Sequence, residues 1–275
     1  VEQVVAARQT KDVELRVRQL IDIGGKQGQA RDVVGAEGTL ELARKDCSEI
    51  QDVSYRISVL ATIAKTQGEL GERVSARETI GIAQEAVAGI KDPKEKAKLL
   101  CQVAEAQCEA GDYNDSMATL KTASETVEQI EDPQNRVLAY CLMAKAYKGI
   151  DSGYDCSPIW DTAIRLGQSI TVPKQRSLSL ADIAAMQAKL DDISDASDNF
   201  SRAVDAAGQI ENAYVRSYTL SELAKRLSQS GFRIEAGRLL KQAEDVAEKI
   251  PEHDLQMQSL QNVRSLMDKL HIEKS

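Results

Sequence analysis

The side chains best suited to nucleophilic or metal chemistry are few and badly spaced for it. Five cysteines (Cys47, Cys101, Cys108, Cys141, Cys156) contain no C-x-x-C pair and no haem-attachment motif, and a small disulfide scaffold would be much shorter than 275 residues. The two histidines, His253 and His271, both fall near the C-terminus, with no residue set around them that suggests a catalytic triad. No G-x-G-x-x-G or Walker loop occurs to cradle phosphate. The sequence therefore predicts no catalytic residue, no cofactor, no metal site and no enzymatic activity. Its 43 acids against 35 bases give a net charge of −8, which opposes a phosphate backbone, so nucleic acid is not an expected partner. No apolar run approaches the roughly 18 to 20 residues of a membrane-spanning helix, so no membrane insertion is expected.

With chemistry so sparsely provided, organisation carries the information. Only 5 prolines, 16 glycines and 4% aromatics argue against a turn-rich β fold and suit long helices. Shifting the chain by 40 residues brings it into register with itself. Alanine recurs at Ala43, Ala83, Ala123, Ala163, Ala203 and Ala243, isoleucine at Ile50, Ile90, Ile130, Ile170, Ile210 and Ile250, and a base at Arg16, Arg56, Lys96, Arg136, Arg176 and Arg216. This predicts one domain over 1–275, with repeats at 12–51, 52–91, 92–131, 132–171, 172–211 and 212–251. A terminal helix occupies 252–275, and residues 1–11 form a cap or the end of a preceding helix.

Each repeat reads as two helices. Asp or Asn caps open the first in five units, and Pro93, Pro133 and Pro173 follow at the first helical position, where a missing N–H costs nothing. Leu60, Ile63, Ala64 and Gln67 mark one face of this helix, while Ala76, Ile80, Ala83, Val87 and Ile90 step by four and three along the second. One pair cannot bury its apolar stripe alone, so stacking of pairs must supply the core.

Leu60-x2-Ile63-Ala64-x2-Gln67 followed by Ala76-x3-Ile80-x2-Ala83 resembles the tetratricopeptide (TPR) repeat. The resemblance departs from the family in three ways: Leu fills the tryptophan slot, Gln27, Gln67, Gln107 and Gln187 fill the tyrosine slot, and the period is 40 instead of about 34. It implies an all-α solenoid of stacked antiparallel helix pairs in a TPR-like right-handed superhelix, whose first helices line a concave groove. Members that clamp a C-terminal carboxylate carry Asn after the small residue; here Gly25, Lys65, Glu105, Lys145, Ala185 and Lys225 stand there, so no such clamp is implied. What remains is protein binding through Thr62, Lys65, Gln102, Glu105, Lys145, Asp182, Glu222 and Lys225 on the groove side.

The fourth unit breaks the pattern with Tyr140, Tyr147 and Tyr154 at sevenfold spacing, Trp160, and a loop expected over 149–157. Tyr140 and Trp160 are read as core, and Tyr147 and Tyr154 as further protein-binding candidates. Cys101 and Cys141, one repeat apart, would stand too far apart to share an ion. The basic column is read as glue between repeats, through i,i+4 pairs such as Asp12–Arg16 or through Glu85, Glu125, Asp205 and Asp245. The functional expectation is a non-catalytic scaffold or adaptor that organises a multiprotein assembly. The alternative is a self-assembling subunit of a filament, tubule or ring, with copies of the chain joined end to end. A first residue other than Met raises the expectation of a processed, extracytoplasmic form, in the periplasm or an organelle lumen, with the cytoplasm as alternative.

Overall fold

A computed structural model describes residues 2–271. Among them all regular structure is helical: α1 (Glu2–Arg8), α2 (Val13–Gln29), α3 (Val33–Asp46), α4 (Val53–Glu69), α5 (Arg73–Ala88), α6 (Pro93–Glu109), α7 (Tyr113–Val127), α8 (Pro133–Ile150), α9 (Ser157–Ser169), α10 (Pro173–Lys189), α11 (Ile193–Gly208), α12 (Ala213–Gln229), α13 (Arg233–Ala247) and α14 (His253–Leu270), with one 3-10 turn at Cys47–Glu49. No helix among the described residues is long and apolar enough to cross a membrane.

The first helix of five pairs starts where a side chain can accept from its free N–H groups; α10 follows Val172, which has no such side chain. Asp12 accepts from Leu15 N–H, Asp52 from Tyr55, Asp132 from Asn135 and Asn212 from Val215 at 2.8–3.0 Å, and Asp92 from Lys94 at 3.2 Å. These helices end on a residue with left-handed backbone: Arg31, Gly71, Gly111, Asp191 and Gly231 have φ between 62° and 92°. The following N–H then reaches back five residues, from Asp32 to Gln27 O, Glu72 to Gln67 O, Asp112 to Gln107 O, Asp192 to Gln187 O and Phe232 to Leu227 O, at 2.8–3.0 Å. This closure satisfies the last carbonyls and turns the chain into the second helix. The fourth pair lacks it: α8 runs on to Ile150, Asp151 N–H bonds Tyr147 O at 2.9 Å, and the connection is 151–156.

The chain divides into two compact units, residues 1–130 with 146–154, and residues 131–145 with 155–275. In the first, α2 packs on α3, α4 on α5 and α6 on α7, and α4 and α5 both meet α6. In the second, α10 packs on α11 and α12 on α13, α10 and α11 meet α12, and α12 and α13 meet α14. Two helices that pack along their length across a three-residue turn run antiparallel, so each unit is a short solenoid of stacked pairs. The alanine column lies at the centre of each pair, fully buried at Ala43, Ala83, Ala123, Ala163, Ala203 and Ala243. Its carbonyls are used as well: Ser177 Oγ donates to Ala203 O at 2.8 Å and Ser217 Oγ to Ala243 O at 2.9 Å.

Glutamine in the tyrosine slot turns out to be a polar latch within the pair. Thr39 Oγ1 donates to Gln27 Oε1 at 2.7 Å, Thr79 Oγ1 to Gln67 Oε1 at 2.9 Å, and Asn199 Nδ2 to Gln187 Oε1 at 2.8 Å. Burying an amide without a partner is costly, and in these three pairs its acceptor end is met twelve residues on by a donor from the facing helix, whereas Gln107 Oε1 is buried without one.

The basic column works differently from the i,i+4 expectation. Arg16 bonds Asp46 at 2.8 Å, Glu49 at 2.9 Å and Thr10 O at 3.0 Å, because the Asp12 carboxylate is already engaged as a cap. Arg56 donates to Ile50 O at 3.0 Å and Arg176 to Ile170 O at 3.1 Å, so the column closes the C-terminal end of the preceding helix. Arg176 also donates to Gln209 in its own pair.

Candidate functional site

In the first unit the packing of α4 on α6 sets Thr62 and Lys65 beside Gln102 and Glu105. Lys65 Nζ lies 4.0 Å from a Glu105 oxygen, a loose, half-exposed ion pair. The exposed Thr62 hydroxyl donates to Ser58 O at 2.9 Å. Gln102 Oε1 is buried and has no donor within reach. In the segment 146–154, Tyr147 is buried and its ring stacks on half-buried Tyr154, centroids 4.3 Å apart and planes 14° apart, so Tyr154 is held by Tyr147 instead of standing free. Lys148 Nζ donates to Ser152 O at 3.1 Å and steadies the same loop.

In the second unit Lys145 is exposed on α8, and Tyr140 and Trp160 are buried. Asp182 on α10 and Glu222 on α12 are drawn together by Arg226, whose Nε lies 3.0 Å from Asp182 and Nη1 3.5 Å from Glu222. Burial pushes the Asp182 carboxyl above its usual range, and the Arg226 guanidinium pulls against that without cancelling it. Arg226 was not among the residues read from the sequence: the equivalent positions hold Lys26, Thr66, Ala106 and Met186, so no column signals it.

Glu222 and Lys225 also line a cavity of about 360 Å³ between α12 and α14, with Tyr214, Tyr218, Asn262 and Lys269 among its walls. Lys174 Nζ sits 5.3 Å from the Tyr218 ring centroid, which fixes that ring by cation–π attraction. Two phenols, two lysines and one carboxylate held by an arginine suit a mixed polar and aromatic segment.

The cysteines offer no alternative centre. Burial pushes Cys47 up to about 12 and raises Cys141 and, less buried, Cys108. Cys156 donates to Ala144 O at 3.6 Å as a core residue. Among the described residues no group of three His, Cys, Asp or Glu side chains could share a metal ion.

The helix-pair geometry settles the architecture. This chain is TPR-like in fold. No family model matches it, and no curated protein does. Solved structures similar to it include Ton1535 from Thermococcus onnurineus NA1 (14% identity, 95% of this chain and 94% of that one, TM-score 0.49) and a Rap protein complexed with competence and sporulation factor (11% identity, 98% and 79%, TM-score 0.38). A third is the STAND protein with a tetratricopeptide repeat sensor, PH0952 from Pyrococcus horikoshii (17% identity, 95% and 37%, TM-score 0.37). At these scores no residue role is carried across from them.

Proposed function

We propose that the chain is a non-catalytic protein-interaction scaffold, and that its first-helix faces receive an extended segment or domain of a partner within a larger assembly. The observation that supports this most is the cavity between α12 and α14, where Glu222 and Lys225 meet Tyr214 and Tyr218. Tyrosine is the residue type that anchors such contacts, because it offers a large rigid area with a polar tip. Thr62, Lys65, Gln102 and Glu105 extend the same character on α4 and α6, and Asp182 on α10.

Lysine-directed cross-linking of the protein from its native source, read by mass spectrometry, tests the proposal. Links from Lys225 or Lys269 to a different protein are expected, and Tyr218→Ala with Lys225→Glu should weaken that association at least tenfold. Association that survives the double substitution unchanged would overturn the reading.

A second reading, end-to-end self-association, draws on α14. Met257 is 53% exposed, and Leu260 is part-exposed where the equivalent Leu20, Leu60, Leu100, Tyr140, Leu180 and Leu220 are buried. Cross-links confined to copies of this chain, with a sedimenting mass that rises with concentration and falls on Met257→Glu, would favour it over the scaffold.

A further inference from the structure

The sixth helix pair departs from the chain's own pattern at three positions, and the departures meet in one place. Where other pairs carry Gln27, Gln67, Gln107 and Gln187, it has Leu227. The latch partner twelve residues on, Thr39, Thr79 or Asn199 elsewhere, is Leu239. The acid that opens the second helix, Asp32, Glu72, Asp112 or Asp192 elsewhere, is Phe232. On the facing helix Ser197 of α11 stands at the position of Arg77 in α5, one that varies along the chain (Glu37, Arg77, Met117).

In the first unit that last position matters. Arg77 Nε donates to Asp112 Oδ2 at 2.7 Å and its Nη2 to the other carboxylate oxygen, so a two-pronged ion pair spans the cleft between α5 and α7. Between α5 and α7 a cavity of about 260 Å³ lies farther along the cleft, lined by Gln84, Thr119 and Thr122 and clear of the Arg77–Asp112 pair; between α11 and α13 the positions of that pair are Ser197 and Phe232, which form no ion pair. A cavity of about 340 Å³ opens there, and Ser197, Leu227, Phe232 and Leu239 all line it together with Phe200 and Val204. Phe232 meets Phe200 edge to face with centroids 5.5 Å apart, and these two rings are all the phenylalanine the chain has. Around this apolar floor stand Asp205, Glu235 and Arg238, two acids to one base, on a chain of net charge −8.

We propose that this cavity is a docking slot for one bulky apolar side chain, tryptophan, phenylalanine or leucine, presented by a partner protein segment with a basic residue beside it. An apolar floor inside a charged rim is the form in which a single anchor residue is desolvated while its neighbours stay in water. The acidic excess of the rim selects the base. The slot shares no residue with the cavity between α12 and α14, so it goes beyond the scaffold reading, and its failure leaves that reading standing.

Titration of the full chain, methyl-labelled at Leu and Val, with acetyl-Lys-Trp-Gly-Lys-amide and with acetyl-Glu-Trp-Gly-Glu-amide tests it. Saturable shifts at Leu227, Leu239 and Val204 are expected, with the basic peptide bound at least about fivefold more tightly in low salt and the gap narrowing as salt screens the rim. Ser197→Arg with Phe232→Asp, which rebuilds the ion pair seen between α5 and α7, should reduce binding at least tenfold. Should that variant fold poorly, Ser201→Trp on the exposed cavity wall blocks the mouth without touching the core and should give the same loss. Absence of shifts at those methyls, equal affinity for both peptides, or binding that survives Ser201→Trp would overturn the slot. Shifts at Val263 and Leu266 in their place would also count against it, while supporting the cavity between α12 and α14.

Discussion

Replacing Thr79 by valine keeps the shape of a fully buried side chain and deletes one hydroxyl, so it isolates what the latch contributes. Thr79 Oγ1 lies 2.9 Å from Gln67 Oε1 and also 2.9 Å from Ser75 O, whereas Gln67 Nε2 has no partner. Valine therefore leaves Gln67, itself fully buried, with both ends of its amide unmet. Orphaning a buried polar group costs about 1–3 kcal/mol. For a chain of this length 1 kcal/mol corresponds to roughly 2 °C in Tm, so Thr79→Val should melt about 2–6 °C below wild type. Gln67→Leu should cost much less, because Thr79 then turns its proton to Ser75 O and no group is stranded. The double change to leucine reproduces Leu227 and Leu239 of the sixth pair and should stay within about 1 kcal/mol of wild type. Thermal melts followed by far-ultraviolet circular dichroism decide it. A loss for Gln67→Leu equal to or larger than that for Thr79→Val would refute the reasoning.

Packing gives a second prediction. A Cβ at Gly68 would sit 2.6 Å from the Glu109 carbonyl carbon, backbone that cannot swing aside, whereas one at Gly81 would meet nothing within 4 Å. In urea denaturation Gly68→Ala should lose stability, a clash of about 1–3 kcal/mol outweighing the helix-propensity gain, while Gly81→Ala should gain about 0.5–1 kcal/mol. Two carboxyls should respond to pH with opposite signs. Asp182 is held above its usual value by burial, so its contribution to stability grows as pH falls through that raised value; Asp182→Asn should compare better with wild type at pH 7 than at pH 4.5 in paired melts. Asp112 is held low by the Arg77 hydrogen bond, so its contribution is present above the ordinary carboxyl range and is lost as pH falls through the lowered value; Asp112→Asn should cost more at pH 7 than at pH 3, by a small margin because the Arg77 end of the pair is open to solvent.

The helical pairs were legible because their signals are local. An Asp before Val13 or Pro93, and alanine at every fortieth position, act within one helix or one turn. Contacts between helices were legible only as anomalies. Gln67 was visible as a glutamine in a tyrosine slot, and Thr79 stands in a plain column of threonines, yet only the pairing of α4 with α5 makes them partners. Arg16 was assigned to Asp12 by the surface rule for i,i+4 pairs. That rule does not count the cap, which had already claimed the carboxylate for Leu15 N–H. Arg226 gave no signal at all, since what gives it meaning is a carboxylate 44 residues away on α10. The apolar slot needed three unremarkable residues, Leu227, Phe232 and Leu239, to be seen converging from two helices and a turn.

The order in which the chain builds its two compact units has a practical consequence for dissecting it. The backbone leaves the first unit after 130, returns to it for 146–154, and re-enters the second at 155. A fragment ending at 130 lacks the stretch that carries the Tyr147–Tyr154 stack, and a fragment ending at 154 drags along 131–145. No single truncation point therefore yields either unit whole, and one protease cut within 151–156 still leaves two peptide crossings intact. Binding regions in this protein are better mapped by point substitution or by circular permutation than by deletion from either end.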